Sequence, residues 1–571
     1  MKYKSNLLNK LLMVMFAMAV LSLTSCDDDD QDPSFAEPTI AVTPSTVSDL
    51  PGATVSMSIA ATADAGLKSI KVNGTEAKSY TSSTTADAFS YNFTIPATEA
   101  VGTTITVTLE VSDAQDPAHT ATTTATVTVG DPGKPTVEVS TKITANTTWT
   151  ADKYYLLKGN VYVQAPAELT IEAGTVIFGD KVSKGALVIN RGAKIHAVGT
   201  AAAPIIFTSS APATFRNYGD WGGVVLLGKA VNNQNVDQTI EGVTGTTGDD
   251  GKYGGTADDD NSGELQYARI EFAGIALSTD NELNGLTLGS VGSGTTIDHV
   301  QVSYSGDDSF EWFGGTVNAK NLIAFKGWDD DFDTDFGFRG NIQYAVSHRD
   351  PNIADKSGSN GFESDNDGSG STKTPLTAPV FSNVSWFGPG VYAKLSNTGT
   401  LVAANYNANY QFAGHLRRNS SIKVYNSIFV GSRQEGVHFD KTNPGAAFAG
   451  NYFGRTGAPV TAPAVAYAVK KATTGNASGD VDLTNFDADN FNTATGDQST
   501  VDLSAVIAGM TATLINIDDP LSLLAAGSSL LSGAKTVPTG LEQTNYVGAF
   551  DATTDWTAAT WVNFAPNSTE Y

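Results

Sequence analysis

The sequence predicts an all-β chain, a small sandwich of short strands followed by a long parallel β-helix. Three observations predict it. Charged residues make up only 16% of the 571 residues, and Gly (56 of them), Thr, Ser, Ala and Asn fill the difference. That mixture suits sheets and tight turns better than helices. Short alternating runs bounded by turn residues recur from Thr39 onward, and no stretch has the pattern of a long amphipathic helix. In the middle of the chain a polar residue followed by apolar alternation returns every 20 to 22 residues, the mark of a coil stacked on its neighbours.

Residues 1–25 read as a signal peptide. Lys2, Lys4 and Lys10 precede an apolar run from Leu11 to Leu23, too short for a comfortable membrane span. The run ends in Leu23-Thr24-Ser25-Cys26, and Cys26 is the sole cysteine of the chain. This tetrad resembles the bacterial lipobox, which implies lipidation of Cys26 and a lipid anchor in the outer membrane. Residues 26–37 follow as an acidic tether that opens with Asp27-Asp28-Asp29-Asp30, four like charges that stay solvated. An acidic run just after a lipidated Cys resembles the surface-export signal of Bacteroidota lipoproteins, which implies a position on the cell surface.

Residues 38–130 read as a small β-sandwich. The runs 39–42, 55–59, 69–72, 91–95, 104–108 and 124–129 alternate and are separated by turns such as Val72-Asn73-Gly74. Length and spacing resemble bacterial immunoglobulin-like modules, which implies a spacer or a carbohydrate-binding role. Asp131-Pro132-Gly133-Lys134-Pro135 reads as a linker.

Residues 137–571 read as the β-helix with a C-terminal cap. The recurring segments begin at His299, Asn321, Asn341, Asn383 and Asn426. The first two steps are 22 and 20 residues, and the next two, 42 and 43, read as two coils each. Asn suits such a corner because it tolerates a left-handed turn and its amide can bond the coil above or below. The pattern resembles the right-handed parallel β-helix of the pectate-lyase-like superfamily. Towards the end, 501–507 and 521–531 read as short helices, and Phe550, Trp556, Trp561 and Phe564 as a cover for the open end of the solenoid.

A second register runs beside the first. Phe310-Glu311 recurs as Phe332-Asp333 and Phe362-Glu363, and more faintly as Phe439-Asp440. Neighbours in a strand face opposite ways, so inward Phe residues place Glu311, Asp333 and Glu363 outward in one column. Asp335, Asp365 and Asp367 extend it, and residues 301–370 hold 13 acidic against 5 basic residues. Two bare carboxylates about 5 Å apart repel by roughly 3 kcal/mol at an effective dielectric constant of about 20. Such a column is expected to bind a cation, and oxygen-only ligands favour Ca²⁺. A second acidic patch, Asp249-Asp250 and Asp258-Asp259-Asp260, reads as a solvated loop insertion within 242–263.

The counts also exclude functions. A net charge of −26 repels phosphate backbones, which argues against nucleic-acid binding, and one Cys rules out a disulfide scaffold. No His-Glu-x-x-His, Gly-x-Ser-x-Gly or phosphate-loop motif is present. Three readings remain. The first is a surface lipoprotein whose β-helix binds a glycan through Trp312 and Trp328, with Ca²⁺ on the acidic face. The second is a Ca²⁺-dependent polysaccharide lyase, with Lys326, Arg339, His348 and Arg349 as candidate bases and acids near the column, or a glycoside hydrolase using Asp307-Asp308 and Asp330-Asp331. The third is a structural or adhesive protein, or a companion of an outer-membrane transporter.

Overall fold

Alternation with period two decides the N-terminal part. In β3 (Thr54–Thr62), Val55, Met57, Ile59 and Ala61 point inward while the residues between them face outward. The computed structural model describes residues 35–571 apart from 82, 131–132, 241–242, 244–247, 279–280, 393–405, 441–442, 455–468, 472–488, 491–505, 509–516, 519 and 521–522. The signal segment, Cys26, most of the acidic tether and most of the expected helix at 501–507 lie outside the described residues. The chain divides into two compact units after Gly133.

The first unit holds two sheets. β1 (Thr39–Thr43), β3 and β6 (Ala86–Thr94) form an antiparallel three-stranded sheet. The other has five strands, β2 (Thr46–Asp49), β8 (Thr120–Val129), β7 (Thr104–Asp113), β4 (Leu67–Val72) and β5 (Thr75–Ser79), in that order. β2 runs parallel to β8, and the other pairs are antiparallel. Their inner faces share one apolar core, with Met57, Ile59, Leu109 and Val127 at its centre. The sequence pattern missed β2 and β5, which are short and mostly exposed and so carry no apolar alternation.

The second unit is a parallel β-helix. One sheet stacks ten strands in chain order from Asn160–Val163 through Leu286–Val291, Phe310–Gly315, Phe332–Asp335 and Phe362–Ser364 to Val469–Lys471. A 16-stranded sheet forms the other sides. Phe310, Phe332 and Phe362 are in register, are buried, and stack with ring centroids 5.7 and 5.4 Å apart. Their burial turns Glu311, Asp333 and Glu363 outward, as the Phe-acid repeat predicts.

The strands Gly263–Glu271, Thr296–Ser303, Asn318–Phe325, Asn341–His348 and Val380–Phe387 each bend round a corner of the helix. The bend is a single left-handed residue: Tyr267, His299, Asn321, Tyr344 and Asn383, followed by Asn426, with φ between 48° and 60°. This corrects two expectations. Asn341 lies three residues before its corner, which Tyr344 occupies. The 42- and 43-residue steps are single coils lengthened by loops, because Asn341–His348 pairs directly with Val380–Phe387 and the latter directly with Lys423–Tyr425. Apolar spacing records strands and says nothing about how much loop separates them.

The corner is stitched by the C-terminal segment and not by an Asn ladder. Asn383 Nδ2 donates to Thr544 Oγ1 and to the carbonyls of Tyr546 and Gly548, and Asn426 Nδ2 donates to the Lys535 carbonyl. Gln343 and Gln301 bond the backbone of Glu542 and Asn563. Phe550, Trp556, Trp561 and Phe564 therefore lie on the flank of the solenoid, where Phe564 meets Phe325 and His348, and Trp561 meets Tyr267 and His299. Within 521–531 the described structure is a short 3-10 turn, Ser529–Leu531. Trp561 is 1% exposed, so Trp561→Ala should cost about 3–5 kcal/mol. Hydrogen exchange should show the loss first in the flank segment, since the coils beneath keep their ladders.

Candidate functional site

The turns that precede the acidic strands stack as the strands do. Asp307 and Asp308 precede Phe310, and one coil later Asp329, Asp330 and Asp331 precede Phe332. The backbone N–H of Asp330 donates to Asp308 Oδ1 at 2.8 Å, and that of Asn360, one coil further, donates to Asp330 Oδ1. These bonds hold the turns in register and gather carboxylates on one side. Two groups converge. Oxygens of Asp307, Asp308 and Asp329 lie within 4.8 Å of one another, and so do oxygens of Asp308, Glu311 and Asp333.

Crowding of like charges out of water shifts their titration. Burial, reinforced by the neighbouring carboxylates, pushes Asp308, Asp330, Asp333 and Asp335 well above the usual range. Asp329 is pushed up to about 6, chiefly by burial and then by Asp355, against a hydrogen bond from Ser357. Asp307, Asp308, Glu311 and Asp329 line a cleft of about 600 Å³, together with Tyr218, Trp328 and Asn284. Tyr218 and Trp328 meet edge to face with centroids 5.2 Å apart, and form an aromatic wall beside the acidic floor.

Asp331 turns the other way. It is fully buried and accepts hydrogen bonds from Arg349 Nη1, Ser347 Oγ and Trp386 Nε1 at 2.7–2.8 Å. It holds coils together and does not face the cleft set.

Several expected site residues lie elsewhere. Glu363 bonds Arg417, and Asp365 bonds both Arg417 and Arg418, so these two carboxylates are neutralised by a later coil. Asp367 closes its own turn by accepting from Ser369 and Ser371, which hold its carboxyl far below the usual range. Asp335 accepts the Phe336 N–H. Of the six expected metal ligands, Glu311 and Asp333 join the converging groups. Trp312 is wholly buried between Phe310 and Phe338 and offers no face to a ligand, whereas Trp328 lines the cleft.

The four expected catalytic residues are occupied away from the cleft. Lys326 bonds Asp518 and Tyr304, and Arg339 bonds Asp258. His348 is buried against Phe387 and Tyr392, and burial pushes it down to about 3, so it stays neutral. Arg349 is the buried partner of Asp331. Among the described residues, the cations lining the cleft are Lys181, which bonds Asp220 at 2.8 Å, and Lys356. None of the four candidate bases and acids lines the cleft. The second acidic patch is also built in: Asp250 is buried and bonds Lys142, Gln164 and Asn190, and Asp258 and Asp260 accept backbone N–H groups of Val231 and Lys229.

Asn284, Asp355 and Ser357 carried no signal in the sequence. Asn284 lies just before the strand Leu286–Val291, one coil before Glu311, and the loop holding Asp355 and Ser357 interrupts the coil period.

Residues 141–511 match the family model described as the pectate-lyase like beta helix domain. No curated protein matches the sequence. Among solved structures, the chain is similar to the catalytic domain of a GH87 alpha-1,3-glucanase in complex with tetrasaccharides, at 11% identity over 75% of this chain and 91% of that one, with a TM-score of 0.30. The same domain in complex with nigerose matches at 12% identity over 75% and 92%, again with a TM-score of 0.30.

Proposed function

The chain belongs to the pectate-lyase like beta helix family, and on that footing we propose that it binds a glycan in the acidic cleft with the help of Ca²⁺. The observation that carries this reading is the convergence of Asp307, Asp308, Asp329, Glu311 and Asp333 beside Trp328 and Tyr218. Aromatic faces suit the C–H faces of sugar rings, and carboxylate oxygens suit both sugar hydroxyls and a hard cation. The cation relieves repulsion that otherwise forces these groups to hold protons. Leu23-Thr24-Ser25-Cys26 and the acidic run after it support a lipid anchor and surface display, and the two-sheet first unit supports an immunoglobulin-like spacer between anchor and ligand site. Among the described residues no helix is long and apolar enough to cross a membrane.

Glycan-array binding in CaCl₂ and in EDTA tests the reading. Binding is expected in Ca²⁺ and at least tenfold weaker in EDTA or in Trp328→Ala. A glycan bound equally well in both buffers, or no glycan bound at all, contradicts it. One observation favours turnover as a second reading: a carboxyl titrating near 6 in a cleft is suited to donate a proton near neutral pH. Release of reducing ends, abolished in Asp329→Asn, is the expected sign of it.

A further inference from the structure

The two converging groups share one residue, Asp308. We propose that the cleft floor holds two divalent cations bridged by Asp308, one among Asp307, Asp308 and Asp329, the other among Asn284, Asp308, Glu311 and Asp333. The inference rests on the cleft reading and adds the number of ions, the bridge and a neutral ligand.

Asn284 is the independent sign of the second ion. It is 4% exposed, it lines the cleft, and its Nδ2 donates to Glu311 and to Thr287 Oγ1. That bond fixes which end of the amide is which. Its Oδ1 is buried and, among the described residues, has no hydrogen-bond partner. A buried carbonyl oxygen without a donor is costly, and it is also a standard Ca²⁺ ligand. Each carboxylate group supplies a further such atom: Asp329 Oδ1 in the first and Asp333 Oδ1 in the second are buried and, among the described residues, have no hydrogen-bond partner.

Charge points the same way. The two groups together hold five carboxylates. One divalent ion leaves most of that charge uncompensated, whereas two nearly balance it. The cation that acts on Asp333 from the protein, Arg417, is already bound to Glu363 and Asp365. A carboxylate has enough lone pairs to accept the Asp330 N–H on Oδ1 and still bridge two ions. All ligands are oxygen, which selects Ca²⁺ over the softer transition metals.

The test is a count. The full chain is stripped with EDTA, then titrated with CaCl₂ by calorimetry, and bound calcium is measured by elemental analysis after dialysis. Two ions per chain are expected. Asp333→Asn and Asn284→Ala should each retain one, and Asp308→Asn should weaken both at least tenfold. Circular dichroism of the stripped variants separates lost sites from lost fold, and the Asn284 variant leaves every carboxylate in place. One ion in the unaltered protein, or two that survive Asp308→Asn, overturns the bridged pair and leaves the cleft reading standing. No bound ion overturns both.

Discussion

Arg349→Met should destabilise the β-helix by about 3–5 kcal/mol, measured as a fall in its urea midpoint. Arg349 and Asp331 are both fully buried and bond at 2.8 Å, and the guanidinium also bonds Tyr410 and lies 5.0 Å from its ring centroid. Burial pushes the Asp331 carboxyl up and the Arg349 charge holds it down. Burial prevails, so the folded-state value already lies above the unfolded one, and without the arginine it rises further. The deficit is then present at neutral pH and shrinks as pH falls towards the unfolded-state range of about 4. The double variant Arg349→Met with Asp331→Leu should recover most of the loss, since an apolar pair carries no stranded charge. A cost below about 1 kcal/mol in the single variant would show that water or another group compensates Asp331.

Asp329→Asn should have the opposite sign in cation-free protein. Its folded value of about 6 lies above the ordinary carboxylate range of about 4, so the ionised form costs stability. That cost is full above about pH 6, fades between 6 and 4, and is absent below the unfolded value. It corresponds to up to about 3 kcal/mol at pH 7. Asp329→Asn should therefore unfold at higher urea than the unaltered protein at pH 7 in EDTA, and at the same urea near pH 4. In saturating CaCl₂ the order should reverse at pH 7, because the ion binds the carboxylate more strongly than the amide. Equal stabilities at both pH values in EDTA would remove the electrostatic strain on which the cation argument stands.

The coil interior was legible from the sequence, because Phe310, Phe332 and Phe362 repeat with an acid after each and a strand can bury only one of two neighbours. The site was legible in part. Glu311 and Asp333 follow from that register, but Glu363 does not stay in the set, because Arg417 reaches it from a coil that begins some 50 residues later. The basic residues are held apart from the cleft in the same way. Closeness in sequence to the acidic column placed Lys326, Arg339, His348 and Arg349 as candidate acids and bases, whereas each is committed to a partner contributed by another coil or by the C-terminal segment. The flank segment was hidden because its bonds join Gln301 to Asn563 and Gln343 to Glu542, across distances that no local pattern records.

The proposed function requires that these carboxylates gather to hold cations for a sugar ligand. Long-wavelength anomalous diffraction from crystals soaked in CaCl₂ locates such ions. Two calcium peaks are expected at the cleft floor, one beside Asp307 and Asp329 and the other beside Asn284, Glu311 and Asp333, with Asp308 touching both. Fully occupied water at those positions, with no anomalous signal at millimolar Ca²⁺, would contradict it.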